Sequence, residues 1–291
     1  MAGNEFCGTL TLDRAIMICS RNETLSVFPR LAIEVVRLCQ TPSVALRDLE
    51  SAILKDPGLT ARVLQIANSS LYGARGATSI SRAANVMGLN GIRSAVTRLV
   101  VQQVSAKHAS ASNFNHTALW THSMAVAAAS RILGIRAGLA YAEELYVVGM
   151  LHEFGLLVID RLAPDRFSQA ILCSQEANQP LAFGVQIVFG FDHHELAART
   201  LANWQFTKLC CEAIRHMDSP SNSADCSDAA QILASASAIA CLAGMPNHSF
   251  NQDACEQVLA SQNLDQAELE NVIAKLSQDV GETMAHFGVA A

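Results

Sequence analysis

The sequence predicts an all-α protein built as two helical lobes, and three observations carry that prediction. Apolar residues recur at helical spacing along nearly the whole chain. The alternation that marks a half-buried strand is absent, with Ala182 to Phe191 the one ambiguous run. Hydrophobic residues make up 51% of the chain and aromatic residues only 5%, so leucine, alanine and valine must fill a core of helix–helix contacts.

The elements read in order. Leu46, Leu49 and Ile53 fall at i, i+3 and i+7. Asp56 then Pro57 reads as an N-cap followed by the first helical residue, where a missing N–H costs nothing. Leu59, Val63, Ile66 and Ala67 repeat the apolar pattern. Asn68-Ser69-Ser70 reads as a helix-end cap, with a ligand or partner contact between the lobes as its functional alternative. Gly73 and Gly76 mark a loop, and Ser79 is placed to cap the next helix. Gly88 and Gly91 separate two further helices, the second carrying Ile92, Val96, Leu99 and Val100. The small, polar stretch from Ser105 to Asn113 divides the chain into an N-terminal lobe, 1–108, and a C-terminal lobe, 109–291. A helix is expected to begin around Ala118 to Trp120, and another over the run from Ala142. Asp218 to Asp228 is a loop of Ser, Asn, Asp and Pro. A last helix carries Leu269, Ile273, Leu276, Val280, Met284 and Phe287 as one stripe.

Composition excludes several classes. A chain of 291 residues with a formal charge of −6 does not suit a general nucleic-acid binder, which needs a basic face to displace counterions. Nine cysteines without a C-x-x-C pair read as reduced, mostly buried thiols of a cytoplasmic protein. The N-terminus lacks the basic start of a signal peptide. His108 to Ser130 and Ala229 to Gln252 lack Asp, Glu, Lys and Arg, but alanine dominates them, which suits helix packing better than a membrane span. No phosphate-binding loop, dinucleotide fingerprint or nucleophile elbow occurs.

The chemistry concentrates in Gly149-Met150-Leu151-His152-Glu153-Phe154-Gly155. His152 shares a helical face with Leu145, Val148 and Gly149, so it points inward or into a cleft at the helix end. Glu153 lies about 100° further round, so both reach one ion only at a helix terminus, which Gly155 is expected to supply. A lone histidine in such a place is more often a hydrogen-bonded core residue. Trp120 and Trp204 read as core anchors. Arg62, Arg93 and Arg98 read as solvated or interlobe pairs, with phosphate binding as the alternative. His108, His116, His248 and His286 are assigned no role.

The order and spacing of several segments together resemble the HDOD family, an output-type branch of the HD-domain superfamily, from about Leu25 to Gly244. They are Phe28-Pro29, Asp56-Pro57-Gly58-Leu59-Thr60-Ala61-Arg62-Val63-Leu64, Ala67-Asn68-Ser69, Ala83 to Leu89 with Arg93, Trp120-Thr121-His122-Ser123, the run around His152, Asp192-His193-His194-Glu195 through Trp204, and Ala213-Ile214-Arg215-His216. The resemblance implies a metal set in which His122 is the first histidine and His152-Glu153 fills the His-Asp pair with a longer acid. His193 and His216 match histidines added in two-metal relatives. The distant aspartate falls on Ser237, Met217 stands where a second consecutive histidine is usual, and Leu156 replaces a common lysine. A neutral hydroxyl is a poor substitute for a carboxylate on a divalent ion. The set His122, His152, Glu153, His193 and His216 is histidine-rich and carboxylate-poor; it implies a divalent transition metal such as Fe, Ni or Zn, or a neutral polar network.

The expected function is bacterial cytoplasmic signalling by an HDOD protein with a degenerate metal site and no catalytic residue. It would act on a signalling protein in trans or bind a small nucleotide-like ligand, with no direct nucleic-acid or membrane contact. The alternative is an active metal-dependent phosphohydrolase of a nucleotide or cyclic dinucleotide, with His152 and Glu153 as its catalytic candidates. A packing scaffold with an inert pocket is a third reading.

Overall fold

The computed structural model describes residues 10–20, 35, 37–38, 41, 44–54, 57–68, 77–106, 112–204, 206–246, 252–259 and 265–286. Among them every regular element is a helix. The N-terminal part contributes α1 (Leu12–Ser20), α2 (Leu46–Leu54), α3 (Pro57–Ala67) and α4 (Ile80–Ala106). Helices α2, α3 and α4 pack on one another and bury Leu49, Ile53, Val63, Ile66, Ala67, Ile92, Val96 and Leu99, the stripes read from sequence. Pro57 opens α3, while its proposed cap Asp56, the glycines Gly73 and Gly76, and Ser69 and Ser70 lie outside the described residues. Ser79 accepts the N–H of Arg82 at 3.1 Å, a capping bond. Asn68 is spent structurally, donating to the Ala77 carbonyl at 2.8 Å and accepting its N–H, which ties the end of α3 to the start of α4. Gly91 is helical. The break falls at Gly88, whose non-helical φ of 73° and ψ of 164° separate two helical segments within α4.

The C-terminal part follows as α5 (His116–Arg136), α6 (Ala142–Leu151), α7 (Phe154–Leu162), α8 (Pro164–Ala177), α9 (Leu181–Phe189), α10 (His193–Asn203), α11 (Lys208–Arg215), a 3-10 turn (Pro220–Asn222), α12 (Ser227–Leu242), α13 (Gln252–Leu259) and α14 (Gln266–His286). Asn115 caps α5 by accepting the N–H of Ala118, placing that helix start two residues before the expected one. The ambiguous run 182–191 is helical in α9 and stops at Gly190, whose φ of 77° a side chain would resist.

Helix α5 lies at the centre, packed by α4, α6, α12 and α14. Its buried face is almost continuous, from Leu119 through Ser130, which accounts for the uncharged alanine-rich stretch without a membrane. None of the described helices is long and apolar enough to cross a bilayer.

The division at 108/109 falls among residues outside the description. Helix α4 meets α5 and α6 there, and Arg98 donates to the Tyr146 hydroxyl at 3.0 Å across that contact. Arg93 donates to the Thr41 carbonyl at 2.9 Å, so two of the three arginines have protein partners, and Arg62 is exposed. Helix α1, although first in the chain, packs on α10 and α7 and pairs Asp13 with Arg199 at 3.0 Å. Trp120 is buried, and Trp204 is half-buried against Phe154. Cys19, Cys210, Cys211 and Cys226 are buried, Cys173, Cys241 and Cys255 are half-buried, and Cys7 and Cys39 fall outside the description.

The α5–α6 contact is backbone-close. A Cβ on Gly149 would come within 2.6 Å of Ala127 Cα and 2.7 Å of its N. Helix propensity alone favours Gly149→Ala by about 1 kcal/mol. We expect the opposite sign, a loss of roughly 1–3 kcal/mol, because the obstructing atoms are main chain. Urea unfolding followed by circular dichroism measures it, and an unchanged or higher midpoint would contradict the close approach.

Candidate metal centre

The His-Glu pair sits in a break between two helices. Helix α6 ends at Leu151, His152 is its C-cap, and Glu153, at φ −92° and ψ 14°, is the N-cap of α7. The terminus expected from Gly155 is therefore made two residues earlier. Gly155 lies in the first turn of α7, where a Cβ would come within 2.0 Å of the His193 carbonyl oxygen. Its missing side chain lets α7 press against the start of α10, and this seats Glu153 Oε2 2.9 Å from His193 Nε2.

Each imidazole is fixed through one nitrogen. His122, mid-α5 and fully buried, contacts the Met245 carbonyl through Nδ1 at 2.8 Å. His152, also fully buried, contacts the Gly149 carbonyl through Nδ1 at 2.7 Å. A carbonyl accepts only, so both Nδ1 atoms carry the proton and both Nε2 atoms present a lone pair. The two rings stand 5.2 Å apart between centroids. Ser237 Oγ lies 3.4 Å from His122 Nε2, so this hydroxyl faces the centre. His152 Nε2 is buried without a hydrogen-bond partner, 3.8 Å from Glu153 Oε1.

Asp192, the N-cap of α10, accepts the His194 N–H at 2.8 Å and orients the pair that follows it. The rings of His193 and His194 lie 3.9 Å apart. His194 Nδ1 pairs with Asp218 Oδ2 at 3.0 Å, while its Nε2 is buried without a hydrogen-bond partner and His193 Nδ1 lies 3.5 Å from Asp192 Oδ1.

Burial pushes the His122 imidazole down and that of His152 down to about 3, against the opposing pull of Glu153, so both are neutral. Burial also works to raise Glu153, but His193 first, then His152 and His194, outweigh it and hold the carboxyl well below its usual range. For His194 burial favours the neutral ring, yet Asp218 and then Glu153 raise it to about 9.

Donor atoms within 4.8 Å of one another form three sets among the described residues: His122, His152 and Glu153; Glu153, His193 and His194; and Asp192, His194 and Asp218. The first two are buried, and they contain the unpartnered nitrogens. The neutral imidazoles of His122 and His152, anchored through Nδ1 with Nε2 turned to the centre and a carboxylate alongside, fit a divalent transition cation.

The structure therefore brings His122, His152, Glu153 and His193 together. His216 is in none of the three sets; it caps α11, half-buried, with Nε2 3.5 Å from Glu212 Oε2. Helix α11 ends one residue earlier, and the turn that follows delivers Asp218 instead. His194 and Asp218 were not singled out from sequence. The available signal was the acid N-cap before two histidines in a first helical turn. His116, assigned no role, pairs with buried Asp160 at 3.0 Å, and Asp160 also accepts the Ser112 hydroxyl, pinning the α5 entry to α7.

An all-helical fold with a buried histidine–glutamate cluster at a helix break defines an HD-like helical protein. Residues 25–220 match the HDOD domain, and the chain belongs to that family. It is similar in fold to an HDOD domain protein of unknown function from Geobacter sulfurreducens, with TM-score 0.73 and 22% identity over 94% of this chain and 96% of that one. A candidate phosphohydrolase from Shewanella amazonensis SB2B gives TM-score 0.72 and 22% identity over 95% and 98%. A candidate signal transduction protein from Marinobacter aquaeolei VT8 gives TM-score 0.73 and 20% identity over 95% and 65%. An uncharacterized protein of Treponema pallidum (strain Nichols) is 23% identical over 209 residues, 71% of this chain. The chain spans 40% of the length of that curated relative.

Gly155→Ala tests the geometry that seats the carboxylate. The added methyl must push α7 off the His193 carbonyl, so we expect a stability loss of about 1–3 kcal/mol and weaker binding of zinc or cobalt. Calorimetric titration with Co(II) and urea unfolding measure both; unchanged metal affinity would show that the α7–α10 contact does not control the centre.

Proposed function

We propose that this chain is a signalling protein whose centre binds a divalent transition metal and, through it, an anionic ligand, without appreciable phosphohydrolase turnover. The observation that supports this reading is the pairing of a prepared donor set with a missing charge. Unpartnered imidazole nitrogens converge on Glu153, while Ser237, 3.4 Å from His122, offers a hydroxyl where a hydrolase would place a carboxylate. A divalent ion held by neutral imidazoles and one carboxylate keeps net positive charge. Its complement is a phosphate-bearing small molecule of nucleotide-like kind, and the output is a partner protein in trans. Relatives of the same fold are named for signal transduction and for phosphohydrolysis. The carboxylate deficit favours the first, in a cytoplasmic bacterial setting. The second reading, an active hydrolase using His152 and Glu153, rests on Glu153 being able to ligate a metal.

The test is direct. Protein purified without chelator is expected to carry Fe, Ni or Zn by elemental analysis and to leave bis(p-nitrophenyl) phosphate and common nucleotides nearly unhydrolysed. Ser237→Asp combined with Glu153→Asp should tighten metal binding by about tenfold or more, ~1.4 kcal/mol. His152→Ala should lose the metal and cost on the order of 1–3 kcal/mol of stability, from the cavity and the orphaned Gly149 carbonyl. Rapid hydrolysis by the wild type that disappears in His152→Ala would establish the hydrolase instead.

A further inference from the structure

We infer that Glu153, His193 and His194 form a second cation position beside the one set by His122, His152 and Glu153, with Glu153 shared and Asp218 orienting His194. This inference rests on the centre being a metal site at all.

The two carboxylate oxygens face different histidines: Oε1 lies 3.8 Å from His152 Nε2, and Oε2 lies 2.9 Å from His193 Nε2. Two ligands on one octahedral cation at about 2.1 Å stand about 3.0 Å apart, so the Glu153–His193 contact has the length of a coordination edge. His194 completes the set. It is 4% exposed, its Nδ1 is engaged by Asp218, and its Nε2 is a buried nitrogen without a partner. A carboxylate on the far ring nitrogen is the usual way a ligating histidine is held in orientation and tautomer. The ring beside it, 3.9 Å away, belongs to His193, whose Nδ1 lies 3.5 Å from Asp192 Oδ1.

Two competing assignments are weaker. His216, the match from family resemblance, faces Glu212 and joins no donor set among the described residues. The outer set of Asp192, His194 and Asp218 is explained without an ion, because Asp192 caps α10 and Asp218 already bonds His194 Nδ1. Asp192 and Asp218, at the rim, temper the repulsion between two dications.

Metal-stripped full-length protein loaded with Co(II) and counted by elemental analysis after gel filtration tests this. We expect two equivalents for the wild type, one for His194→Gln and two for His216→Ala. Mn(II)-loaded wild type should show an exchange-coupled electron paramagnetic resonance signal that His194→Gln lacks. Asp218→Asn changes an exposed side chain and should retain the native circular dichroism, with the second ion bound about tenfold or more weakly and the first unchanged. It decides the matter if His194→Gln fails to fold. One equivalent in the wild type would overturn the second position and leave the metal-binding reading intact; none would overturn both. Two equivalents in His194→Gln, loss of one in His216→Ala, or unaltered binding in Asp218→Asn would each overturn the assignment to His194.

Discussion

An ionised carboxylate kept inside the protein is the constraint around which the centre is arranged. Glu153 is 6% exposed, and a buried charge without compensation costs several kcal/mol. Compensation comes from His193 at 2.9 Å and from the ring of His194. Bringing them there requires three backbone arrangements. The chain breaks its helix between Leu151 and Phe154, Gly155 lets α7 touch the first residue of α10, and Gly149 lets α6 lie against α5. The last of these also sets His152 beside His122. Side-chain chemistry at the centre is thus purchased by two glycines whose role is to be absent.

Much of the fold was legible because burial in a helical protein writes a 3.6-residue period into the sequence. Leu49, Ile53, Val63 and Ile66 are buried for that reason. Four of the five proposed ligands could be named because their motifs keep their order along the chain. What could not be read depends on where one helix stops relative to another. Gly155 looks like a helix terminator in isolation, yet its purpose is a contact with a residue 38 positions away, invisible to local pattern. Helix α1 returns to α10 and α7, a pairing that no periodicity encodes. Asn68 looks like a cap and is a clamp on Ala77.

His216 and His194 show the same limit at the site itself. A histidine at the end of an eight-residue helix changes direction completely with the exact residue at which the helix ends. Here α11 stops at Arg215, so His216 turns to Glu212 and the chain carries Asp218 inward two residues later. His194 gains what His216 loses because an acid N-cap starts α10 directly beneath it. Aspartate before two histidines is a helix-start signal and a ligand signal at once, and only the packing of α10 on α7 tells which ring turns inward.

The centre is also tied to both flanks of α12. Asp218 precedes that helix, Ser237 lies within it, and the Met245 carbonyl that holds His122 follows it. A hydrolase needs its ligands fixed and its acids charged so that catalysis is complete within the pocket. This pocket presents a neutral hydroxyl at Ser237 and anchors His122 and His152 through backbone carbonyls. The carbonyl bonds couple the imidazoles to helix positions, while the hydroxyl brings no second charge to an ion. That asymmetry is the physical ground for reading the site as one that binds.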